Sequence, residues 1–376
     1  MIIGIDASRA FVSERTGTEE YSYHLIKHLV GLPAAKQHHF VLYVRPNAII
    51  PDEIVRKNVR ILPIKYRYLW TQVGLALATW QDSLDLLFIP AHTLPLLRRP
   101  GLRTVVTIHG LEYRWLPAYR NLLQRWYLPL STYYAAYAAT HLIAVSASTK
   151  LDLIKETHTT YKKIKVIQEG VESLRAYSRN KKTILERWGL EACKYIIFIG
   201  SLQPRKNLPV LVEAFALFLR RHRGYKLVIV GGKGWMSEEI FRAPGRWGVQ
   251  ESVVFTGRVS EKTKLDLLSQ AYFYVQPSLT EGFGLPLLEA MALGVPVISS
   301  NGGALPEVVG EAGVVVPLGS RFASDLAKVM GTLTAHAKRR RDLIICGRER
   351  ARELSWHHAA VSTMSLFIRL SSSPTD

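Results

Sequence analysis

The strongest structural signal in this chain lies in one segment, Glu281-Gly282-Phe283-Gly284-Leu285-Pro286-Leu287-Leu288-Glu289-Ala290-Met291-Ala292. Its Gly-x-Gly turn precedes an apolar stretch, and Pro286 suits the first position of a helix, where the missing N–H costs nothing. A strand-like run, Val295–Ile298, follows. Turn, helix and strand in this order are typical of an α/β unit. Because the start of a helix attracts phosphate, we expect an anion site here, with Glu281 and Glu289 at the same helix end.

Short apolar runs rich in β-branched residues alternate with helical patterns along the whole chain. The first series predicts a helix at Glu19–Val30 and strands at Ile2–Ile5, Phe40–Val44, Val59–Leu62, Leu84–Ile89, Thr104–Ile108, His141–Val145 and Ile164–Ile167. The second series predicts strands at Tyr195–Ile199, Lys226–Val230, Ser252–Thr256, Tyr272–Gln276, Val295–Ile298 and Gly313–Val316. Near-continuous apolar strands between helices indicate parallel sheets that are covered on both faces.

The length of the chain, 376 residues, favours two domains over one. A polar stretch at residues 172–193 separates the two series and is interpreted as the linker region. We expect an N-terminal domain at residues 1–172, a second domain at residues 173–355, and a C-terminal helix at residues 356–376. That helix is expected to pack back on the N-terminal domain and to end in a frayed tail. Doubly wound sheets bind ligands outside the carboxyl ends of their strands, so the cleft between the domains is the expected site.

The composition is strongly basic, with a formal net charge of +19. This charge favours anionic partners such as phosphorylated substrates, nucleotide sugars, anionic lipid or nucleic acid. The excess is spread along the chain, so it does not form a nucleic-acid-binding arm. The two cysteines, Cys193 and Cys346, form neither a disulfide framework nor a zinc spacing. They favour a reducing cytoplasm, and the lack of a long apolar run predicts at most a peripheral position on the inner face of the membrane.

Three further motifs accompany the glutamate segment: Gly200-Ser201-Leu202-Gln203-Pro204-Arg205-Lys206-Asn207, Val230-Gly231-Gly232-Lys233-Gly234-Trp235 and Phe255-Thr256-Gly257. Together they resemble the retaining glycosyltransferases of the GT-B fold, family 4, and in particular the bacterial mannosyltransferases. The resemblance covers nearly the whole chain and is densest from residue 195 to residue 317. It implies an α/β fold of two Rossmann-like domains, of which the N-terminal one binds the acceptor and the C-terminal one binds the nucleotide sugar.

Arg205 and Lys206 are the first candidate catalytic residues. Two adjacent cations in a turn can stabilise a departing diphosphate, and stabilisation of developing charge is often the largest catalytic effect. The resemblance implies that this pair contacts the donor pyrophosphate. It also implies that Glu281 lies against the donor sugar and that Glu289 binds the ribose hydroxyls. Carboxylates suit both tasks because each can accept two hydroxyl donors.

The remaining candidate residues follow from the same resemblance. Backbone N–H groups that should face the phosphates belong to Phe283, Gly284 and Leu285. The Gly17-Thr18 loop, between the first strand and the first helix, is expected to approach the diphosphate. The nucleotide base is expected near Val259.

His109 follows a strand and is expected to contact the sugar or the acceptor, with His92 as a weaker candidate. Members of the family often have His-Asp where this chain has His109-Gly110. The turn Gln168-Glu169-Gly170-Val171 also differs from the Asn-Gly-Val of the family, and Gly170 is interpreted as a turn residue.

No metal or cofactor is predicted. The sequence contains no Asp-x-Asp, no P-loop and no His or Cys cluster with metal-ligand spacing. The resemblance, together with these absent motifs, therefore implies a metal-independent, retaining transfer of a hexose from a nucleotide diphosphate sugar to a glycan or lipid-linked hydroxyl, in cell-surface polysaccharide or glycolipid synthesis. GDP-mannose is the favoured donor, and UDP-glucose is the second. Two alternatives are a glycoside phosphorylase of the same fold and a basic nucleic-acid-binding protein, although no nucleic-acid motif is present.

The first domain also contains a basic and aromatic stretch. Its residues are Lys65-Tyr66-Arg67-Tyr68-Leu69-Trp70, Arg98-Arg99, Arg103, Arg114-Trp115, Arg120 and Arg125-Trp126-Tyr127. Interleaved Arg, Trp and Tyr residues suit an anionic membrane surface, and they also suit stacking on sugars or nucleic acid. A third interpretation is a basic surface above an aromatic core.

Overall fold

A computed structural model describes residues 1–66, 68–111, 113, 122–174 and 182–372, without the side chains of residues 122–126, 182 and 183. The end of the predicted frayed tail (residues 373–376), the middle of the predicted linker region and several residues of the basic and aromatic stretch lie outside the described residues. Those of the stretch are Arg67, Arg114, Trp115 and Arg120. Ser371 and Ser372, at the start of the predicted tail, are helical. The chain forms two compact units. One comprises Met1–Gly170 and the chain from Leu354 onward, and the other comprises Val171–Glu353.

The described residues form thirteen β-strands, which correspond to the thirteen predicted strands with ends that differ by a residue or two. Unit 1 contains β1 (Ile2–Asp6), β2 (His39–Val44), β3 (Val59–Pro63), β4 (Leu86–Ile89), β5 (Arg103–Ile108), β6 (His141–Ala144) and β7 (Ile164–Val166). Unit 2 contains β8 (Tyr195–Ile199), β9 (Lys226–Val230), β10 (Val253–Gly257), β11 (Phe273–Gln276), β12 (Val297–Ser300) and β13 (Val314–Val316).

The strands alternate with α-helices. Unit 1 contains α1 (Gly17–Gly31), α2 (Ala76–Gln81), α3 (Leu122–Ala138) and α4 (Ala147–Thr157). Unit 2 contains α5 (Lys182–Glu186), α6 (Leu208–Leu219), α7 (Glu238–Trp247), α8 (Glu261–Ser269), α9 (Leu285–Ala292), α10 (Leu305–Val309), α11 (Phe322–Ala335) and α12 (Ala337–Glu353). The last helix, α13 (Trp356–Ser372), belongs to unit 1.

Each unit contains one parallel sheet. The strand order is β3-β2-β1-β4-β5-β6-β7 in unit 1 and β10-β9-β8-β11-β12-β13 in unit 2. The order reverses direction between β1 and β4 in the first sheet and between β8 and β11 in the second. Such reversal points are where doubly wound sheets bind ligands, beyond the carboxyl ends of the strands. This architecture confirms the predicted α/β class with two Rossmann-like sheets.

The central strands are buried because helices cover both faces of each sheet. All five residues of β8 are buried, for example, and Phe198 packs with Leu211 and Phe215 of α6 in the core of unit 2. In unit 1, α13 packs against α1, and Phe367 lies 5.2 Å from Phe88 between ring centroids. The last helix is therefore part of the hydrophobic core of unit 1.

Part of the basic and aromatic stretch has a structural role. Trp70 is buried in the core of unit 1. Arg98 donates hydrogen bonds to the carbonyl oxygen of Ala138 and to the hydroxyl of Tyr134, and Arg99 donates to the carbonyl oxygen of Leu84. These residues hold the loop after β4 in place and are not a freely exposed basic surface.

Candidate active site

A buried ionic cluster lies at the reversal point of the unit 2 sheet. Pro204–Lys206 forms a single 3-10 turn after β8, and Glu281 follows β11. Glu281 Oε2 accepts a hydrogen bond from Arg205 Nη1 at 2.8 Å, and its Oε1 accepts one from Lys206 Nζ at 2.5 Å. All three side chains are nine-tenths buried. The structure therefore brings together three of the four predicted catalytic residues.

Two polar residues of β11 and the following loop complete the surroundings of the Glu281 carboxylate. Gln276 Nε2 and the Ser278 hydroxyl both donate to Oε1 at 2.6 Å, and Gln276 also donates to Ser278 Oγ. The carboxylate thus has four donors. Burial alone would raise the pKa of Glu281, but Lys206 and Arg205, with the hydrogen bonds from Lys206 and Ser278, lower it from 4.5 to about 2. Glu281 is ionised at neutral pH and holds the two cations in fixed positions.

Close backbone packing fixes the loop that carries Glu281. The N–H of Ala304 donates to the carbonyl oxygen of Glu281 at 2.9 Å. Gly303 has φ +61°, and a Cβ atom there would lie 2.3 Å from that same oxygen. At Gly302, a Cβ atom would lie 2.5 Å from the carbonyl oxygen of Leu279. Only glycine allows the two loops to approach this closely.

The second glutamate has a different environment. Glu289 lies in α9, and its Oε1 accepts a hydrogen bond from Lys264 Nζ of α8 at 2.8 Å. Lys264 also forms an ion pair with Glu261 at 2.8 Å. Burial alone would lower the pKa of Lys264, but Glu289 and Glu261 raise it above its usual range. Lys264 is therefore charged and fixes the orientation of the Glu289 carboxylate.

Helix α9 begins at Leu285, with Gly284 as its N-cap at φ +112°. Pro286 is consequently the second helical residue, so its prediction as the first was wrong by one position. The early N–H groups of a helix have no acceptor within that helix, and they carry the positive end of its dipole. The side chain of Phe283 is buried, which leaves the backbone as the part of this turn that can contact a ligand.

Val259 lies beyond the edge strand β10, immediately before Ser260, which caps α8 by accepting a hydrogen bond from the N–H of Thr263. Val259 is half-buried. Because Val259 follows the carboxyl end of β10, it lies on the same edge of the sheet as the residues that follow β8 and β11.

The predicted Gly17-Thr18 loop is part of a helix. Both residues belong to the first turn of α1, and the Thr16–Glu19 capping box precedes and stabilises that turn. The sequence pattern did not predict that the helix starts at Gly17, because glycine has a low helix propensity. At the start of a helix, a favourable cap outweighs that low propensity. A Cβ atom at Gly17 would meet nothing within 4 Å, so no contact within the protein requires glycine at this position.

His109 follows β5 in unit 1 and is largely buried. Its Nδ1 lies 3.1 Å from Glu169 Oε1, and its Nε2 lies 2.8 Å from the carbonyl oxygen of Pro90. The ring centroid of His92 lies 5.5 Å away. Burial, together with His109 and Arg9 nearby, lowers the pKa of His92 to about 3, so His92 is neutral at neutral pH.

Several of these contact residues did not stand out in the sequence. Gln276 of β11 and Ser278 of the following loop contact Glu281, Lys264 of α8 contacts Glu289, and Glu169 contacts His109. Residues 276 and 278 are two positions apart at the end of a strand, and this spacing is only a weak indication that both side chains contact the site. Lys264 and Glu169 have no local signal, because their partners lie 25 and 60 positions away.

The described residues contain no group of three or more His, Cys, Asp or Glu side chains that could hold a metal ion. Across the same part of the chain, every helix is too short or too polar to cross a membrane. Metal independence stays a prediction.

Known proteins resemble this chain in sequence and in fold. It is 27% identical over 270 residues to the O-antigen chain mannosyltransferase B of Escherichia coli, which is 70% of each chain. Its fold matches sucrose-phosphate synthase from Thermosynechococcus elongatus with a TM-score of 0.76, at 20% identity and 98% coverage of both chains. It also matches HepE from Anabaena in complex with UDP and glucose, with a TM-score of 0.73, at 16% identity and 99% coverage of both chains.

Two family models match consecutive parts of the chain and together span most of it. The model described as Glycosyltransferase Family 4 matches residues 15–175, and the model described as Glycosyl transferases group 1 matches residues 193–336. The second match contains the cluster formed by Arg205, Lys206 and Glu281. With both sheets parallel and ordered as in the GT-B fold, the chain belongs to the family 4 glycosyltransferases.

Proposed function

We propose that the protein transfers a hexose, with mannose favoured, from a nucleotide diphosphate sugar to a hydroxyl acceptor with retention of configuration. The observation that carries this proposal is the buried cluster of Arg205, Lys206 and Glu281 at the reversal point of the unit 2 sheet. Two cations held by one carboxylate keep a net positive charge, at the edge where such sheets bind ligands. A diphosphate is the anion whose charge grows during glycosyl transfer.

The two glutamates have separate roles in this proposal. Glu281 positions Arg205 and Lys206, which stabilise the departing diphosphate together with the first N–H groups of α9. Glu289 binds the ribose hydroxyls, and Lys264 holds its carboxylate in place. In a front-face reaction, an oxygen of the leaving diphosphate accepts the proton of the acceptor hydroxyl, so the chain needs no separate general base.

Unit 2 is proposed as the nucleotide-sugar domain and unit 1 as the acceptor domain. The mannosyltransferase named above supports mannose, and GDP-mannose is the favoured donor. UDP-glucose is the second donor, which is supported by the binding of UDP and glucose in the Anabaena protein. Metal is not required in this scheme, because Arg205, Lys206 and α9 neutralise the diphosphate.

A thermal-shift panel of GDP-, UDP- and ADP-sugars tests the donor, because a ligand that binds only the folded state raises the unfolding midpoint. We expect the largest shift with GDP-mannose, and no shift in Lys206→Met. Lys328→Met is the matched control, because Lys328 is an exposed lysine of the same unit. Mass spectrometry of the transfer product then identifies the sugar. Phosphorolysis of a glycoside without nucleotide would contradict the proposal and favour a glycoside phosphorylase.

The acceptor is proposed to be lipid-linked, because unit 1 has an apolar surface. Among the described side chains of α3, those of Tyr127, Leu130, Tyr133 and Tyr137 are exposed and follow one another at helical spacing. Arg98 bonds to the end of α3, and Trp80 of α2 donates to the carbonyl oxygen of Leu97. The exposed residues Trp80, Leu96 and Leu97 therefore extend the same surface.

The charge of the sequence segment that contains α3 favours an anionic membrane. Between Asp85 and Asp152 the sequence contains one acidic residue, Glu112, and seven Lys or Arg residues. Tyr and Trp side chains prefer the lipid–water interface, and basic residues are attracted to anionic headgroups.

Flotation with vesicles that contain anionic lipid tests the membrane proposal. We expect binding at low salt that weakens at high salt, and loss of binding in Leu130→Ser with Tyr137→Ser. Val361→Ser and Ile368→Ser, which change exposed apolar residues of α13, are the control. Equal binding by both double variants would overturn the proposed surface, and this would leave the donor assignment unaffected.

A further inference from the structure

We propose that Glu169 is a positioning residue, which holds the His109 ring in a doubly protonated state by an ion pair. It supplies the carboxylate that is missing from the sequence position next to His109. The kinetic part of this inference rests on the proposed transferase function, whereas the ion pair itself does not.

The two contacts of the His109 ring define its protonation. Nε2 faces the carbonyl oxygen of Pro90 at 2.8 Å, and a carbonyl oxygen can only accept, so Nε2 carries a proton. Nδ1 faces Glu169 Oε1 at 3.1 Å. In this proposal Glu169 is ionised, so its carboxylate only accepts, Nδ1 donates as well, and the ring is an imidazolium. The side chains of His109 and Glu169 are 13% and 6% exposed, which shields the pair from solvent.

The backbone explains why the carboxylate comes from position 169. Gly110 has φ +152°, a conformation that residues with a Cβ atom rarely adopt. An aspartate at position 110 would therefore be strained. Glu169 instead approaches from the segment after β7, on the same edge of the unit 1 sheet as the end of β5.

The turn that carries Glu169 is held by the start of α13. A Cβ atom at Gly170 would lie 2.1 Å from the backbone nitrogen of Trp356, so only glycine allows this approach. The Trp356 ring contacts Tyr21 edge-on at 5.9 Å, and Tyr21 contacts the His109 ring at 4.5 Å between centroids. Helix α13 thus fixes the backbone beside Glu169 and also one side of the imidazole.

The other titratable groups around the pair do not replace Glu169. His92, on the remaining side of the His109 ring, is neutral because burial lowers its pKa to about 3. Tyr21 is neutral too, because burial raises its pKa above the ordinary range, and its hydroxyl is within 3.1 Å of Thr107 Oγ1. Arg9 lies near His92 and would repel a second positive charge. Glu169 is the anion that balances the imidazolium.

The test compares Glu169→Gln with wild type in two measurements. Long-range ¹H–¹⁵N NMR of the histidine rings needs no substrate, and His109→Gln assigns the His109 signals. We expect two protonated nitrogens in wild type and an unprotonated Nδ1 in Glu169→Gln. With the donor that the panel identifies, we expect kcat to fall by roughly 10- to 100-fold, the range known for removal of a carboxylate that orients a metal-bound imidazole, and the donor KM to change little.

Two further variants make the result decisive. Asp82→Asn is the matched control, because Asp82 is a hydrogen-bonded carboxylate in unit 1 that precedes β4, away from the carboxyl ends of the strands. It should lower the unfolding midpoint and leave the His109 signals and kcat unchanged. Glu169→Asp keeps the charge and should retain the Nδ1 proton and part of kcat. An unprotonated Nδ1 in wild type, or unchanged ring signals in a folded Glu169→Gln, would overturn the ion pair. A normal kcat in Glu169→Gln with altered ring signals would overturn the positioning role.

Discussion

Replacing Glu281 by glutamine tests the buried cluster most directly, because glutamine has the same shape without the charge. Arg205 and Lys206 would then lose the buried carboxylate that pairs with both of them. Lowering the pKa of Glu281 from 4.5 to about 2 corresponds to about 3 kcal/mol of folding free energy at neutral pH. Breaking a buried ion pair from one side costs about 3–5 kcal/mol. We therefore expect Glu281→Gln to destabilise the protein by about 3 kcal/mol at pH 7.

The same cluster predicts a pH dependence with a definite sign. The folded protein holds the pKa of Glu281 below its unfolded value, so the stabilisation is complete above about pH 5 and is lost as the pH falls towards 2. The difference in unfolding free energy between wild type and Glu281→Gln should therefore shrink to about half of its pH 7 value near pH 3. Other carboxylates titrate in both proteins. The difference in unfolding free energy between wild type and Glu281→Gln therefore reports on Glu281 alone.

Urea unfolding at pH 7 and at pH 3 measures the loss of stability at neutral pH and its decrease on acidification. Glu239→Gln is the control, because Glu239 forms an exposed ion pair with Arg246 in the same unit and should change the stability little. The double variant Glu281→Gln with Lys206→Met removes one of the two cations as well and should recover part of the loss. A loss below about 1 kcal/mol at pH 7, or a difference that stays constant on acidification, would refute the cluster as an ionised, mutually stabilising group.

Four other substitutions separate the roles within the site. Lys206→Ala should reduce turnover by roughly 100-fold or more, measured by product formation at saturating donor, because it removes a cation from the departing diphosphate. Glu289→Ala should mainly weaken donor binding, by about tenfold in a titration, and a normal affinity would argue against the ribose contact. Gly17→Ala should fold with an unchanged midpoint, because its Cβ atom meets nothing, yet it should lose donor affinity. Gly303→Ala should lower the midpoint, because its Cβ atom would lie 2.3 Å from the carbonyl oxygen of Glu281, whereas Gly319→Ala, with no atom within 4 Å of its Cβ, should not.

Local chemistry was sufficient to predict the strands. Each strand is a short apolar run between helical patterns, so its position followed from burial alone. The errors lie at the ends of elements, where a single residue determines the position at which the element begins. Thr16 and Glu19 extend α1 back to Gly17, and Gly284 shifts the start of α9 so that Pro286 is its second residue.

The candidate site could be predicted in part. Arg205, Lys206 and Glu281 were predicted because they belong to motifs, and the structure brings them together. Their mutual contacts were not predicted, because the sequence suggested that each would contact the ligand separately. Lys264 and Glu169 were missed altogether, since an isolated charged residue in a sequence carries no sign of its partner.

The sequence by itself determined the α/β elements, the basic surface and the types of residue at the strand ends. The tertiary structure alone decided which of these residues meet. Glu281 lies 76 positions from Arg205, and Glu169 lies 60 positions from His109. Parallel pairing brings the carboxyl ends of distant strands to one edge of each sheet, and burial there strengthens every charge contact because water no longer screens it. Pairing and burial arise only when the whole sheet forms, so no local segment of the sequence contains them.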